Sequence, residues 1–119
     1  MKLAFTTSGD NLNAPIDSRF GRAPKYLIYD TDTKTFVVID NSQNLNAAQG
    51  AGIQAAEAVA RQDVNGLVTG HCGPNAFRVL SAAGIKIYSS TASTISEALD
   101  AFDAGSLASA DSADVQGHW

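Results

Sequence analysis

The sequence predicts an α/β fold: a mixed five-stranded sheet in the order 3-2-1-4-5, with helices on both faces. Three observations carry that expectation. Strand-like alternation fills the first part of the chain and then gives way to helical spacing. Two of the early strands are joined by a short polar turn, which makes them antiparallel neighbours. After them, short apolar runs alternate with helices, as parallel strands joined by right-handed crossovers do.

Each element has its own signal. Lys2–Thr7 reads as the first strand, with Leu3 and Phe5 on one face of the pleat. A loop rich in Gly, Asn and Pro runs from about Ser8 to Pro24, and unstructured connections of that length in a small domain are often functional. Lys25–Asp30 and Thr35–Asp40 are the second and third strands, with Thr31-Asp32-Thr33-Lys34 as the turn between them. Asn41–Gln49 is a second polar loop. A helix from about Gly50 to Gln62 follows, with Ile53, Ala56, Val59 and Ala60 on its expected inner face. Gly66–Gly70 has the uniform apolar character of a buried parallel strand. Pro74 opens the next helix at a position that favours proline, Phe77, Leu80 and Ala83 form its inner face, and Gly84 stops it. Ile85–Tyr88 is the fifth strand. Thr94 and Glu97 form a capping box for the last helix, which presents Ile95, Leu99 and Phe102 inward and ends at Gly105. One domain is expected over residues 1–107, with 108–119 as a flexible acidic tail.

In that strand order the first and fourth strands lie side by side and parallel, and the chain leaves them in different directions. A ligand is therefore expected in the crevice beyond their carboxyl ends. The segments arriving there are the loop after Thr7 and the turn Gly70-His71-Cys72-Gly73.

Composition narrows the function classes. The chain has 119 residues, 45% hydrophobic and 17% charged, which is the profile of one globular domain. Its apolar runs fall well short of the ~20 residues of a membrane span, and the N-terminus does not have the shape of a signal peptide. Cys72 is the sole cysteine, so no internal disulfide can form and a reducing compartment, the cytoplasm, is expected. The net charge of −4 argues against nucleic acid and membrane surfaces as partners. Basic residues nevertheless gather at Arg19, Arg22 and Lys25, whereas the chain beyond Lys86 has no lysine or arginine.

Few residues are placed to do chemistry. The turn Gly70-His71-Cys72-Gly73-Pro74-Asn75 joins a buried strand to a helix start, where free amides and the helix dipole favour an anion or a thiolate. The same turn equally suits a tight βα connection with Cys72 as a small buried side chain. Asp17-Ser18-Arg19-Phe20-Gly21-Arg22-Ala23-Pro24 offers two guanidinium forks suited to a delocalised anion, or else a solvated loop with Arg19 paired to Asp17. Gly50-Ala51-Gly52 opens a helix but lacks the full phosphate-binding fingerprint. His118 stands alone near the end. His71, Cys72 and His118 do not have zinc-site spacing, and the first strand offers Thr6 and Thr7 where a nuclease would need carboxylates.

Taken together, Asp17–Pro24, Gly50-Ala51-Gly52, Gly70 with Gly73-Pro74-Asn75-Ala76-Phe77, and Ala83-Gly84-Ile85-Lys86-Ile87-Tyr88 resemble the dinitrogenase iron–molybdenum cofactor biosynthesis family, in order and spacing from Met1 to about Leu107. The resemblance implies a ribonuclease-H-like fold without nuclease residues and a role in binding or carrying molybdenum- or iron-containing cofactors. Within the family, the short stand-alone chain and the Gly117-His118-Trp119 ending are similar to members that hold a molybdenum–copper sulfide cluster without covalent attachment. Carried over by position, the cofactor-binding residues are Arg19, Phe20, Gly21, Arg22, Gly50, Gly52, Gly70, His71, Cys72, Gly73, Pro74, Asn75 and Ala76.

Residues and resemblance agree on one expectation: noncovalent binding of a small anionic metal–sulfur cluster by a carrier, store or assembly protein rather than an enzyme. The amides at Gly73 and the guanidinium groups of Arg19 and Arg22 would hold it, and apolar walls such as Phe20 would keep water out. Two alternatives stay open. One is a metal-free interaction module whose basic loop and acidic tail recruit a P-loop ATPase or a division protein. The other is a small redox enzyme dependent on Cys72.

Overall fold

The computed structural model describes residues 1–41, 51–107 and 109. The expected polar loop after Asn41, Gly50, the acidic tail from 110 and His118 lie outside the described residues.

The strands are β1 (Lys2–Thr7), β2 (Lys25–Asp30), β3 (Thr35–Asp40), β4 (Gly66–Thr69) and β5 (Lys86–Ser89), and the helices are α1 (Ala51–Ala60), α2 (Pro74–Ala82) and α3 (Ile95–Asp103). The sheet has the order β3-β2-β1-β4-β5. β1 is antiparallel to β2, with Phe5 opposite Leu27, and parallel to β4, with Phe5 opposite Val68. β2–β3 is antiparallel and β4–β5 parallel. The strands β1, β4 and β5 therefore end on one rim of the sheet, and the helices that follow β4 and β5 start from it.

Alternation along the strands sorts the core into two layers. Ala4, Tyr26, Ile28, Leu67 and Ile87 face α1 and α2, which supply Ala55, Ala56, Val59, Ala76 and Leu80. Leu3, Phe5, Leu27, Tyr29 and Val68 face α3, which supplies Ile95, Ala98 and Leu99. Helices thus cover both faces, two on one and one on the other.

Two helix faces differ from expectation. On α1 the buried set is Gly52, Ala55, Ala56 and Val59, while Ile53 is 38% exposed. Alanine supplies too little hydrophobic contrast to fix a helix's rotational phase, so packing against the sheet decides it. On α2 Ala76 and Leu80 are buried, Phe77 is half-buried, and Ala83 is an exposed cap. That cap is a Schellman motif: the Gly84 amide donates to the Ser81 carbonyl at 3.0 Å and the Ile85 amide to that of Leu80 at 3.0 Å. Gly84 makes the reversal with φ of 78°, a conformation that costs a residue with a Cβ. At the start of α3 the Thr94 hydroxyl accepts the Glu97 amide at 3.2 Å, as the sequence predicts. No described helix is long and apolar enough to cross a membrane.

Candidate functional site

The segment after β1 crosses the rim from one face of the sheet to the other. Leu12, Ala14 and Ile16 pack on the α3 side, and Phe20 and Ala23 on the α1–α2 side. Asp17, Ser18 and Arg19 form the crest between them. The Asp17 amide donates to the Thr6 carbonyl at 2.8 Å, and the buried Thr6 hydroxyl donates to the Asp17 carbonyl at 2.6 Å. Thr6 is also paired with the Thr69 hydroxyl at 3.0 Å, which ties the crest to β1 and β4 together.

The crest is laced to the turn after β4. Arg19 forms a parallel bridge with His71, and the Phe20 amide donates to the His71 carbonyl at 3.1 Å. The Phe20 ring is fully buried against Tyr26, with centroids 5.3 Å apart. The Tyr26 hydroxyl donates to the Phe20 carbonyl, and the buried Asn41 amide group donates to the Ala23 carbonyl at 2.8 Å and to the Tyr26 oxygen at 3.2 Å. Burial, with smaller contributions from the charges of Asp17 and Cys72, pushes the Tyr26 hydroxyl far above the usual phenol range, so it remains a donor.

At its other end the segment meets α3. The Ile16 amide donates to the Ser93 carbonyl at 3.1 Å, while the Ile95 and Ser96 amides donate to the carbonyls of Ala14 and Leu12 at 3.0 and 2.8 Å. With Thr94 capping Glu97, the first-turn donors of α3 are taken by the protein itself. The start of α2 differs: Gly73 makes no side-chain cap and Pro74 has no amide to offer.

The crest fills the crevice expected directly between β1 and β4. Open space lies beside it, toward β5, as a cavity of about 820 Å³. Ser18, Gly70 and His71 form one wall, Ser89, Ser90, Thr91 and Ala92 another, and Glu97 and Ala101 of α3 close it with Ile16, Ser106 and Leu107. The walls combine hydroxyls with one imidazole, one carboxylate and an apolar remainder.

The predicted site residues thus divide. Gly70 and His71 line the cavity, whereas Arg19 is not among its lining residues: it follows the lining residue Ser18, its side chain is about half exposed and its Nε lies 3.7 Å from an Asp17 carboxylate oxygen. Phe20 does not wall the cavity, because its ring is the anchor that holds the crest to the core. Cys72 is also turned inward, 3% exposed in the α1–α2 layer, with its thiol directed to the Gly73 carbonyl at 3.7 Å. Gly21, Gly52, Gly73 and Ala76 are buried, Arg22 and Pro74 are half-buried, and Asn75 is exposed. None of these last residues is among those lining the cavity. Sequence reasoning missed Ser89–Ala92 and Glu97, since serine, threonine and alanine before a helix look like ordinary turn residues. The Thr94–Glu97 cap was the available signal, because it places the loop before α3 on the same rim.

The family model for the dinitrogenase iron–molybdenum cofactor matches residues 1–105. The chain belongs to this family. The apo form of the orange protein from Desulfovibrio gigas is 34% identical, superposes with a TM-score of 0.92 and shares 96% of each chain. A protein from Thermotoga proposed to be NifB is 33% identical over 91% of each chain, with a TM-score of 0.80. A proposed dinitrogenase from Methanocaldococcus jannaschii shares the fold, with a TM-score of 0.71 over 94% of this chain and 96% of its own, at 18% identity. No curated protein matches the chain. Family membership and the orange protein relationship assign this chain a cofactor-related role.

Proposed function

We propose that this protein binds a small anionic metal–sulfur cluster, of the molybdenum–copper sulfide type, noncovalently at the sheet rim and acts as its carrier, store or assembly protein. The observation that carries this reading is the cavity beside the crest: it presents His71 and several hydroxyls, whereas the thiol of Cys72 is turned into the core. A cluster whose own sulfides complete its metal shells asks the protein for hydrogen-bond donors, positive potential and exclusion of water rather than for thiolates. The hydroxyls of Ser18, Ser89, Ser90 and Thr91 and the ring of His71 are such donors, and Ile16, Ala92 and Leu107 supply apolar wall. Arg19, next to the lining residue Ser18 and bridged to His71, adds positive charge, partly offset by Asp17, and Arg22 follows in the same loop. Gly52 and the Gly73-Pro74-Asn75-Ala76 helix start support the same rim from the α1–α2 side.

The test is reconstitution of the purified chain with tetrathiomolybdate and copper, followed by desalting, metal analysis and a visible spectrum. Stoichiometric molybdenum and copper with a charge-transfer band is the expected result. His71→Ala and Ser90→Val should each weaken the band's titration. Colourless, metal-free protein after desalting overturns the proposal, and metal retention unaffected by both variants moves the site elsewhere.

A further inference from the structure

Among the described residues, the walls of the cavity beside the crest carry two titratable side chains, the imidazole of His71 and the carboxylate of Glu97. They come from different elements: His71 follows β4, and Glu97 sits in the first turn of α3, four residues before the lining residue Ala101. The start of α3 accounts for the backbone of Glu97 but not for its side chain. Its amide donates to the Thr94 hydroxyl at 3.2 Å. In a complete capping box the glutamate carboxylate reaches back to the amide of the cap residue. That return bond is absent, and among the described residues the Glu97 carboxylate has no hydrogen bond or ion pair. Glu97 is exposed, so its charge is presented at the cavity wall rather than neutralised within the protein.

A carboxylate at this wall works against an anionic ligand. The start of α3 offers no free donor in compensation, because the amides of Ile95, Ser96 and Glu97 are donated to Ala14, Leu12 and Thr94. Retention alone would be better served by glutamine, which keeps the length of the side chain and can donate. We propose that Glu97 limits the affinity of the cavity for its cargo and hastens release, which makes the protein a carrier that hands a cluster on rather than a store that keeps it; this rests on the reading that the cavity holds an anionic cluster. The guanidinium of Arg19, beside the lining residue Ser18, and the donors of the other walls draw the anion in, and the Glu97 carboxylate opposes it from α3. The opposition is electrostatic, so it grows with the charge of the cargo and fades as salt screens it.

Titration of the full chain with tetrathiomolybdate and copper, followed through the visible band, tests this in the wild type, Glu97→Gln, Glu97→Ala and Asp100→Asn. At ~0.01 M salt both Glu97 variants should bind about three- to tenfold more tightly, and the band should be lost correspondingly more slowly on dilution. At ~1 M salt, where the Debye length falls to ~3 Å, the gain should nearly vanish. Asp100→Asn changes the net charge by the same amount at an exposed position of α3 that does not line the cavity, and it should bind like the wild type. Wild-type protein that takes up the cluster while neither Glu97 variant binds it more tightly overturns this role of Glu97 alone. An equal gain in Asp100→Asn, a gain unchanged at high salt, or a gain due wholly to faster association also overturns it. Wild-type protein that takes up no cluster removes the reading of the cavity itself, and the role of Glu97 falls with it.

Discussion

Gly70 lies so close to Ser18 that a β-carbon built on it would stand 2.7 Å from the Ser18 Cα and 2.8 Å from the Ser18 carbonyl oxygen. The obstructing atoms belong to the backbone, so no side-chain rotation relieves them. Gly70→Ala must lift the crest away from the turn, at a cost of about 1–3 kcal/mol for an overpacked contact. A lowered melting temperature together with weakened cluster binding is expected. Ser18→Ala in the same chain should rescue neither, and full rescue by it would show that the contact is not what holds the rim.

Replacing Arg19 and Arg22 together by alanine should leave the circular dichroism spectrum native, since neither side chain belongs to the two core layers, although the half-buried Arg22 should lower the melting temperature somewhat. Cluster affinity should drop about tenfold, if each guanidinium contributes ~0.5–1 kcal/mol as exposed ion contacts do. Asp17→Asn should act in the opposite direction. It removes the carboxylate charge beside Arg19 but keeps the oxygen that accepts the Arg19 amide at 2.9 Å. Titration of the visible band across the three proteins checks both signs, and equal affinities would remove the loop's charge from the binding account.

Cys72→Ser should still yield coloured, metal-loaded protein. The serine hydroxyl can donate to the same Gly73 carbonyl, so burial in an apolar layer should cost only about 1–2 kcal/mol of stability. The decisive quantity is the metal-to-protein ratio after desalting. A ratio near zero in a variant with native circular dichroism would make Cys72 a metal ligand and the binding covalent.

Tyr26→Phe probes the anchor beneath the crest. It leaves the Phe20 carbonyl without the phenol donor and takes an acceptor from Asn41, a loss of about 1–3 kcal/mol near neutral pH. The pH profile supplies a second readout. Because the native hydroxyl's pKa is raised, the folded state keeps the proton after the unfolded chain has lost it. The stability this group contributes is therefore complete below ~pH 10, the ordinary phenol value, and declines as pH rises beyond it. Denaturant titrations at increasing pH should show that decline in the wild type and a shallower one in the variant.

The first three strands could be read from the sequence with their exact limits, because alternation on either side of a polar turn leaves little freedom in Lys25–Asp30 and Thr35–Asp40. The sheet order followed from handedness and the parallel strands. The rotation of α1 did not, since its alanines look alike from every side. At the rim, Gly70 and His71 were legible as a turn that meets a loop. The burial of Phe20 was not, because an aromatic residue flanked by arginines in a polar loop carries no local sign of which way its ring will turn. The side of the sheet on which the cavity opens depends on how the crest crosses between β1 and β4, and that is a property of the whole chain's path.

The hydrogen bonds from Ile95 and Ser96 to Ala14 and Leu12 join segments near opposite ends of the described chain. The hairpin of β2 and β3 can form early, from neighbouring residues. The stretch from Leu12 to Arg19 cannot be fixed until β4 has docked beside β1 and α3 has arrived, so among the described residues it closes the longest loops. The rim should consequently be the last region to gain hydrogen-exchange protection during refolding. If the rim holds the cluster proposed above, a nascent or partly folded chain would have nowhere to hold it, and loading would select for molecules that have finished folding.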